Sequence, residues 1–237
     1  MIKNLFRDAF SYKETQCTII SDKKIGIQTA EESIKHNRKE LEEYARANPN
    51  FLYTLEPISA RRGPLVAKLM AEVAEKANVG PMAAVAGVLA DLAVKDMIRD
   101  GCEVAVVENG GEVSAISNMP IDVAVAAGDT PLSKRFGFRL TGFPVGIATS
   151  SGRFSHALSF GDAEAATVFC RNAGLADAVA TAVANLVKGE DHRGAIRRGV
   201  DKALSIQGVE GVLIIYKGFT GTAGKIPHII KVDPAIV

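Results

Sequence analysis

The stretch from Cys102 to Phe169 constrains the fold more than any other part of the chain. It divides into short runs rich in β-branched and aromatic residues: Glu103–Val107, Glu112–Ile116, Ile121–Ala127, Phe136–Leu140, Val145–Thr149, His156–Phe160 and Ala165–Phe169. Gly, Asn, Asp and Ser fill the gaps between them. Strands separated only by turns pair antiparallel, because a parallel pair needs a crossover of a dozen or more residues. The segment therefore reads as an antiparallel meander rather than as alternating βαβ units.

Helical patterns lie on both sides of it. Glu31 to Asn48 carries Ile34, Leu41 and Tyr44 on one stripe and ends at Asn48-Pro49, as expected of an amphipathic surface helix. Pro64 opens a helix through Lys76, with Leu65, Leu69, Val73 and Ala77 apolar. Gly80-Pro81 opens another, to about Arg99, dense in Ala and Gly and closed by Gly101. Small residues allow close backbone approach, so this helix is expected at the centre. Further helices are expected at Leu175–Lys188 and Arg193–Ser205, and further strands at Gly211–Tyr216 and Ile226–Val232. Near the N-terminus, Ala9 to Ile20 and Ile25 to Thr29 read as a β-hairpin turning at Ser21–Lys24, and Phe51–Leu55 reads as a short strand. The fold class is α+β.

With 237 residues, nearly half of them apolar, the chain is long enough for a sizeable core. A net charge of +1 gives no broad electrostatic footprint for nucleic acid, although a small anion needs only a few local cations. The opening MIKNLFRDAFSYKE is too polar for a signal peptide, and the apolar run Met82 to Val94 is short and interrupted by Asp91. Neither a membrane span nor export is expected, and the location expected is cytoplasmic. Cys17, Cys102 and Cys170 are widely spaced, form no metal pattern and read as buried reduced thiols.

Three segments carry residue types suited to chemistry. In Ala176-Asp177-Ala178-Val179-Ala180-Thr181-Ala182, Asp177 and Thr181 are four apart and share a helix face. A carboxylate among Ala and Val must be paired, hydrogen-bonded or metal-bound. Carboxylate and hydroxyl are hard oxygen donors that suit Mg²⁺, while a carboxylate in the first turn also favours a helix N-terminus. Both readings stand. The second segment, Ala148-Thr149-Ser150-Ser151-Gly152-Arg153, combines backbone N–H groups, hydroxyls and a guanidinium, as a phosphate cradle or a Ser/Gly-rich turn would. His156 follows it, as a general acid–base or a structural histidine. In the third, Asn109-Gly110-Gly111-Glu112 predicts a tight turn, and its paired glycines also let a flat ligand approach the backbone.

The order of these motifs resembles the ApbE-like flavin transferases and, more closely, an uncharacterised prokaryotic family related to them. Gly87 and Asp91 keep the spacing of the family's central helix; Gly110-Gly111-Glu112-Val113 matches its Gly-Gly-acidic-aliphatic hairpin. Ala148-Thr149-Ser150 with Gly152 resembles its Ala-Thr-Ser-Gly turn, His156 its following histidine, and Ala176 to Ala182 its Ala-Asp-Ala-x-Ala-Thr-Ala motif. The resemblance covers roughly residues 80 to 187. The sequence departs from the pattern at Ala86, where the family has Lys, at the additional Ser151, and after His156, where an Asp-Pro-x-Thr-Gly segment is missing.

The resemblance implies one ApbE-like domain over 1–237, with a hairpin and helix over 1–50 and a core over 51–237, related to the tunnelling folds that bind purines and pterins. It implies a Mg²⁺-dependent transferase or hydrolase acting on FAD or FMN. Asp177 and Thr181 would hold the metal and His156 would move the proton. Gly110, Gly111, Ala148, Thr149, Ser150, Gly152 and Arg153 would line the ligand site. The expected partner is a flavin, a nucleotide or a pterin. Assembly into a homo-oligomer, common among tunnelling folds, is a further expectation. A non-catalytic carrier or sensor and an oligomeric structural protein are the alternatives.

Overall fold

The structure, a computed structural model, describes residues 5–124, 136–151 and 161–231. It opens with a hairpin, β1 (Phe6–Tyr12) and β2 (Thr15–Ser21), turning at Lys13 with φ of 55°. The helix α1 (Lys24–Ala47) follows, then the single-turn α2 (Asn50–Tyr53) and α3 (Leu65–Ala77). A 3-10 turn, Pro81–Ala84, leads into α4 (Val85–Arg99). Strands β3 (Val104–Asn109), β4 (Glu112–Ser117), β5 (Ile121–Ala124), β6 (Phe136–Leu140), β7 (Val145–Ser150) and β8 (Ala165–Cys170) follow; they pair antiparallel but are not the single meander expected, because β5 and β6 leave for a second sheet and β4 pairs with β7. The chain continues with α5 (Ala173–Leu186), α6 (His192–Leu204), β9 (Val209–Tyr216), β10 (Phe219–Gly224) and β11 (His228–Lys231).

Among the described residues the strands form two sheets. The larger runs β1-β2-β3-β4-β7-β8-β9-β10 and the smaller β11-β6-β5, with every neighbouring pair antiparallel. The fold is the α+β arrangement of antiparallel sheet and central helices that the sequence predicts.

Alternation along each strand sorts the core into layers. On β7 and β8, Ile147, Ala165 and Phe169 face the small sheet, where Phe138 meets Phe169 edge-on at 4.8 Å. Ala148, Ala166 and Val168 face the helices and pack with α3, α5 and α6. On β3, Ala105 and Val107 face α1 and α4, while Val104 and Val106 join the small-sheet layer.

The structure corrects the sequence reading in three further places. Ile25–Thr29 is the first turn and a half of α1 rather than a strand, and the hairpin closes inside Ala9–Ile20. Ile27, Ala30, Ile34, Leu41 and Ala45 are buried at helical spacing, so the stripe read at Ile34 and Leu41 extends back past Ala30. Phe51–Leu55 is helical at Asn50–Tyr53, where buried Phe51 packs edge-on against Tyr44 at 5.2 Å. Strand β10 went unread because its Thr-Gly-Thr-Ala-Gly run lacks apolar alternation and lies at a sheet edge. The expected strand His156–Phe160 lies outside the described residues.

Among the described residues no single helix is long and apolar enough to cross a membrane; α3 together with Pro81–Arg99 reaches that hydropathy only as a pair bent by 101°.

Two glycines set the spacing of the central layer. A Cβ on Gly87 would stand 2.3 Å from the Ala173 carbonyl oxygen, and one on Gly146 2.0 Å from the Asn172 carbonyl carbon. Helix α5 is therefore wedged between α4 and β7 at backbone contact. Gly87→Ala is expected to lower stability by about 1–3 kcal/mol despite alanine's better helix propensity. Gly142→Ala, with nothing within 4 Å of its new methyl, should stay within about 0.5 kcal/mol. Urea denaturation midpoints of the two variants check the contrast.

Candidate functional site

Helix α5 is buried almost all round: Ala173 to Ala176, Ala178 to Ala180 and Ala182 to Ala184 all lie in the interior. The partly exposed positions between them are Asp177, Thr181 and Asn185, each four residues from the last. At that spacing they form one polar stripe along an otherwise apolar helix.

The head of this stripe meets the start of α4. Asp177 Oδ2 accepts from the Gly87 N–H at 3.0 Å, and the Ala86 N–H also favours the charged carboxylate. The exchange is reciprocal. Asp91, one turn into α4, accepts from the Ala173 N–H at 2.9 Å through Oδ1 and from the Gly174 N–H at 2.9 Å through Oδ2. Each helix thus supplies the carboxylate that caps the other's first turn, at the positive end of its dipole. The glycines make this possible, since a Cβ on Gly174 would come 2.6 Å from a Val88 methyl.

The two carboxylates are used differently. Asp91 Oδ1 also accepts from the Ser114 hydroxyl at 2.7 Å, so both its oxygens are engaged by the scaffold. Asp177 has lone pairs to spare, because an ionised carboxylate accepts at about four positions. Burial pushes its pKa up from 3.8 to about 7; the Gly87 N–H works against the shift and the Asp91 charge adds to it. One turn on, the Thr181 hydroxyl has no hydrogen bond among the described residues.

The β3–β4 hairpin comes to the same place. Asn109 pairs with Glu112, so the two-residue turn is Gly110-Gly111, one residue beyond the Asn109-Gly110 reading, with φ of 68° and 115°. Positive φ at both positions accounts for the paired glycines. Buried Asn109 donates from Nδ2 to the Ala86 carbonyl at 3.0 Å, which ties the turn to the start of α4.

Strand β7 pairs with β4 at Val113↔Ile147, and its last residues therefore run toward the hairpin turn. Gly146 touches the start of α5. From there Ala148 and Ser150 alternate onto the α5 side. At about 3.3 Å per strand residue and 1.5 Å per helix residue, Ser150 reaches the level of Thr181. Thr149 alternates the other way; its hydroxyl bonds that of Thr167 at 3.0 Å on the small-sheet side.

Of the residues singled out in the sequence, the structure thus gathers Gly110, Gly111, Ala148, Ser150, Asp177 and Thr181 around one end of the large sheet and turns Thr149 away. Gly152, Arg153 and His156 lie outside the described residues. Sequence reasoning assigned no role to Glu112, Asn185 or the capping by Asp91. Continuing the i, i+4 step beyond Thr181 would have found Asn185, whereas the burial of Glu112 has no local signal.

Among the described residues no three His, Cys, Asp or Glu side chains are arranged to hold a metal. A groove of about 440 Å³, lined by Pro57, Arg61, Lys68 and Glu75 among others, lies along α3, away from Asp177. A second, of about 380 Å³, reaches the far end of the α4–α5 crossing at Asp91, Ser114 and Gly174.

This architecture is that of the ApbE proteins. The flavinyl transferase ApbE of Pseudomonas stutzeri, in its apo form, matches with a TM-score of 0.61 over 93% of this chain and 94% of that one, at 12% identity. The ApbE protein of Thermotoga maritima matches with 0.60 over 98% of each chain, at 14% identity. Identities this low show a shared fold. The family follows from sequence: residues 4–208 match the model described as AbpE bacteria, and the chain belongs to that family. A UPF0280 protein of Methanopyrus kandleri is 40% identical over 223 residues, spanning 92% of this chain and 90% of that protein. Another, of Methanococcus vannielii, is 36% identical over 234 residues, spanning 97% and 94%.

The raised pKa of Asp177 gives a signed pH dependence. The unfolded chain releases this proton near 3.8 and the folded chain near 7, so the group's contribution to stability is complete below 3.8 and is lost as pH rises through about 7. Asp177→Asn cannot ionise and keeps an oxygen to accept from Gly87. It should gain on the parent protein by on the order of 1 kcal/mol per pH unit between these values. Thermal unfolding of both proteins across this range tests the assignment; a constant difference would refute it.

Proposed function

We propose that the chain binds FAD, FMN or a related nucleotide through Mg²⁺ held by Asp177 and Thr181, and acts on it as a nucleotide or flavin transferase or as a pyrophosphatase. The observation that carries this reading is the polar stripe of α5. On a helix otherwise largely buried, a carboxylate with unused lone pairs and a hydroxyl without a partner among the described residues stand one turn apart, beside a Gly-Gly turn. These are hard oxygen donors of the kind Mg²⁺ takes, with water or substrate phosphate completing its shell. The site's own charge also calls for a cation: the groups that bear on Asp177 and Glu112 include Asp91, Asp177 and Glu108, all acidic.

Helix N-termini are the usual protein alternative for holding phosphate. Here the first turns of α4 and α5 are already occupied by Asp177 and Asp91. When bound, Mg²⁺ would neutralise a pyrophosphate and the charge that develops as it is cleaved. Asp177 and Thr181 orient the site from a helix that cannot shift without unpacking the core. Gly110 and Gly111 leave room for a flat ring against the backbone. Ala148 and Ser150 line the wall beside α5, and His156, with Gly152 and Arg153 before it, is assigned the proton and the phosphate side. The name flavinyl transferase, carried by a protein of the same fold, agrees with a flavin nucleotide as ligand.

A second reading is a non-catalytic carrier or sensor of the same ligand. It is favoured by Ala86, a methyl where the related transferases have Lys, and by the missing Asp-Pro-x-Thr-Gly segment.

Isothermal titration with FAD, FMN, ATP and a pterin, each with and without Mg²⁺, tests the proposal. Mg²⁺-dependent binding of FAD or FMN that Asp177→Asn weakens by at least tenfold is the expected result, and equal binding by that variant would sink it. Conversion of FAD to FMN and AMP separates the enzyme from the carrier.

A further inference from the structure

We infer that Glu112 is a second carboxylate ligand of the cation held at Asp177 and Thr181, supplied from the opposite wall of the site by strand β4. The inference rests on the metal reading proposed above and adds a residue to it.

Three observations lead to it. Glu112 is only 9% exposed, yet among the described residues its carboxylate meets no hydrogen-bond donor beyond its own backbone N–H. A buried carboxylate with neither donor nor cation is destabilising and survives only by keeping a proton or gaining a positive partner. Second, its direction is fixed by the strand. Ser114, two residues on and therefore on the same face, bonds Asp91 of α4. Glu112 thus projects toward the helices, at the level of Asn109, whose side chain bonds the Ala86 carbonyl at the start of α4. Third, the charges that bear on it there are acidic, Asp177 first and Glu108 after it. Two carboxylates brought together in the interior with no basic partner among the described residues are mutually destabilising, and a divalent cation between them removes the conflict.

The neighbouring acids do not fill this role. Both oxygens of Asp91 are consumed by Ala173, Gly174 and Ser114. Glu108 lies on the other face of β3 and accepts from the Gly111 N–H at 2.8 Å. The donor set is then Asp177, Thr181 and Glu112, two carboxylates and a hydroxyl, with the remaining positions left to water or phosphate.

Mn²⁺ binding to the full chain, followed by the loss of the free-ion electron paramagnetic resonance signal, tests this without any substrate. The parent protein is expected to bind one Mn²⁺, and Asp177→Asn to lose it. Glu112→Gln, isosteric and relieved of a buried charge, should keep or raise the unfolding temperature while weakening Mn²⁺ by at least tenfold. Glu108→Gln should bind as the parent does. If Glu112→Gln binds normally while Asp177→Asn does not, Glu112 is no ligand and the metal reading at Asp177 stands. Equal weakening by Glu108→Gln would reduce the effect to general charge and overturn the inference. A parent protein that binds no Mn²⁺ would overturn both readings.

Discussion

The exchange of caps between α4 and α5 is the contact on which the rest of the structure depends. Asp91 closes the first turn of α5 and Asp177 closes the first turn of α4, across a gap held narrow by Gly87 and Gly174. Buried helix ends leave unsatisfied N–H groups that must find partners. Here the partners come from the opposing helix, so the two first turns can only be buried together. Ser114 and Asn109 then fasten β4 and β3 to the same crossing, and Gly146 brings β7 against its other side.

That crossing also separates structural charge from available charge. Asp91 faces inward with each oxygen occupied, and burial still raises its pKa. Asp177 shares the same chemistry but sits at the sheet end where the Gly110-Gly111 turn opens. The scaffold has thereby placed a carboxylate in a poorly hydrated position without exhausting its lone pairs. Such a group is costly to stability, and it is the group that the proposed function assigns to a cation.

Much of this was legible in the sequence where local chemistry and tertiary context agree. The presence of a tight turn between Asn109 and Glu112, the antiparallel strands, and the i, i+4 pair Asp177 and Thr181 were read from spacing, because turn geometry and helical period are local properties. The failures differ in physical origin. Ile25–Thr29 carries strand-forming residues but joins a helix whose stripe extends past it, and Phe51 is buried from a single helical turn against Tyr44. Thr149 belonged to a plausible cradle motif, but strand alternation sends it to the other face. Glu112 was visible as part of a motif, whereas its isolation from donors exists only once β4 is laid against α4. For Glu112 alone the deciding contact is long-range; the other three turn on neighbours within the same helix, the next helix or the same strand.

The near-complete burial of α5 has a consequence of its own. A helix with a single polar stripe has its rotation fixed by packing: turning it by one residue would place Asp177 in the apolar core and expose Ala or Val in its stead. The Asp177 and Thr181 oxygens are therefore aligned by the same alanines and glycines that fill the interior, with no adjustable loop between them. Natural variation at those small residues would be felt at the site as a displacement of its oxygens, even where no changed atom comes near a ligand.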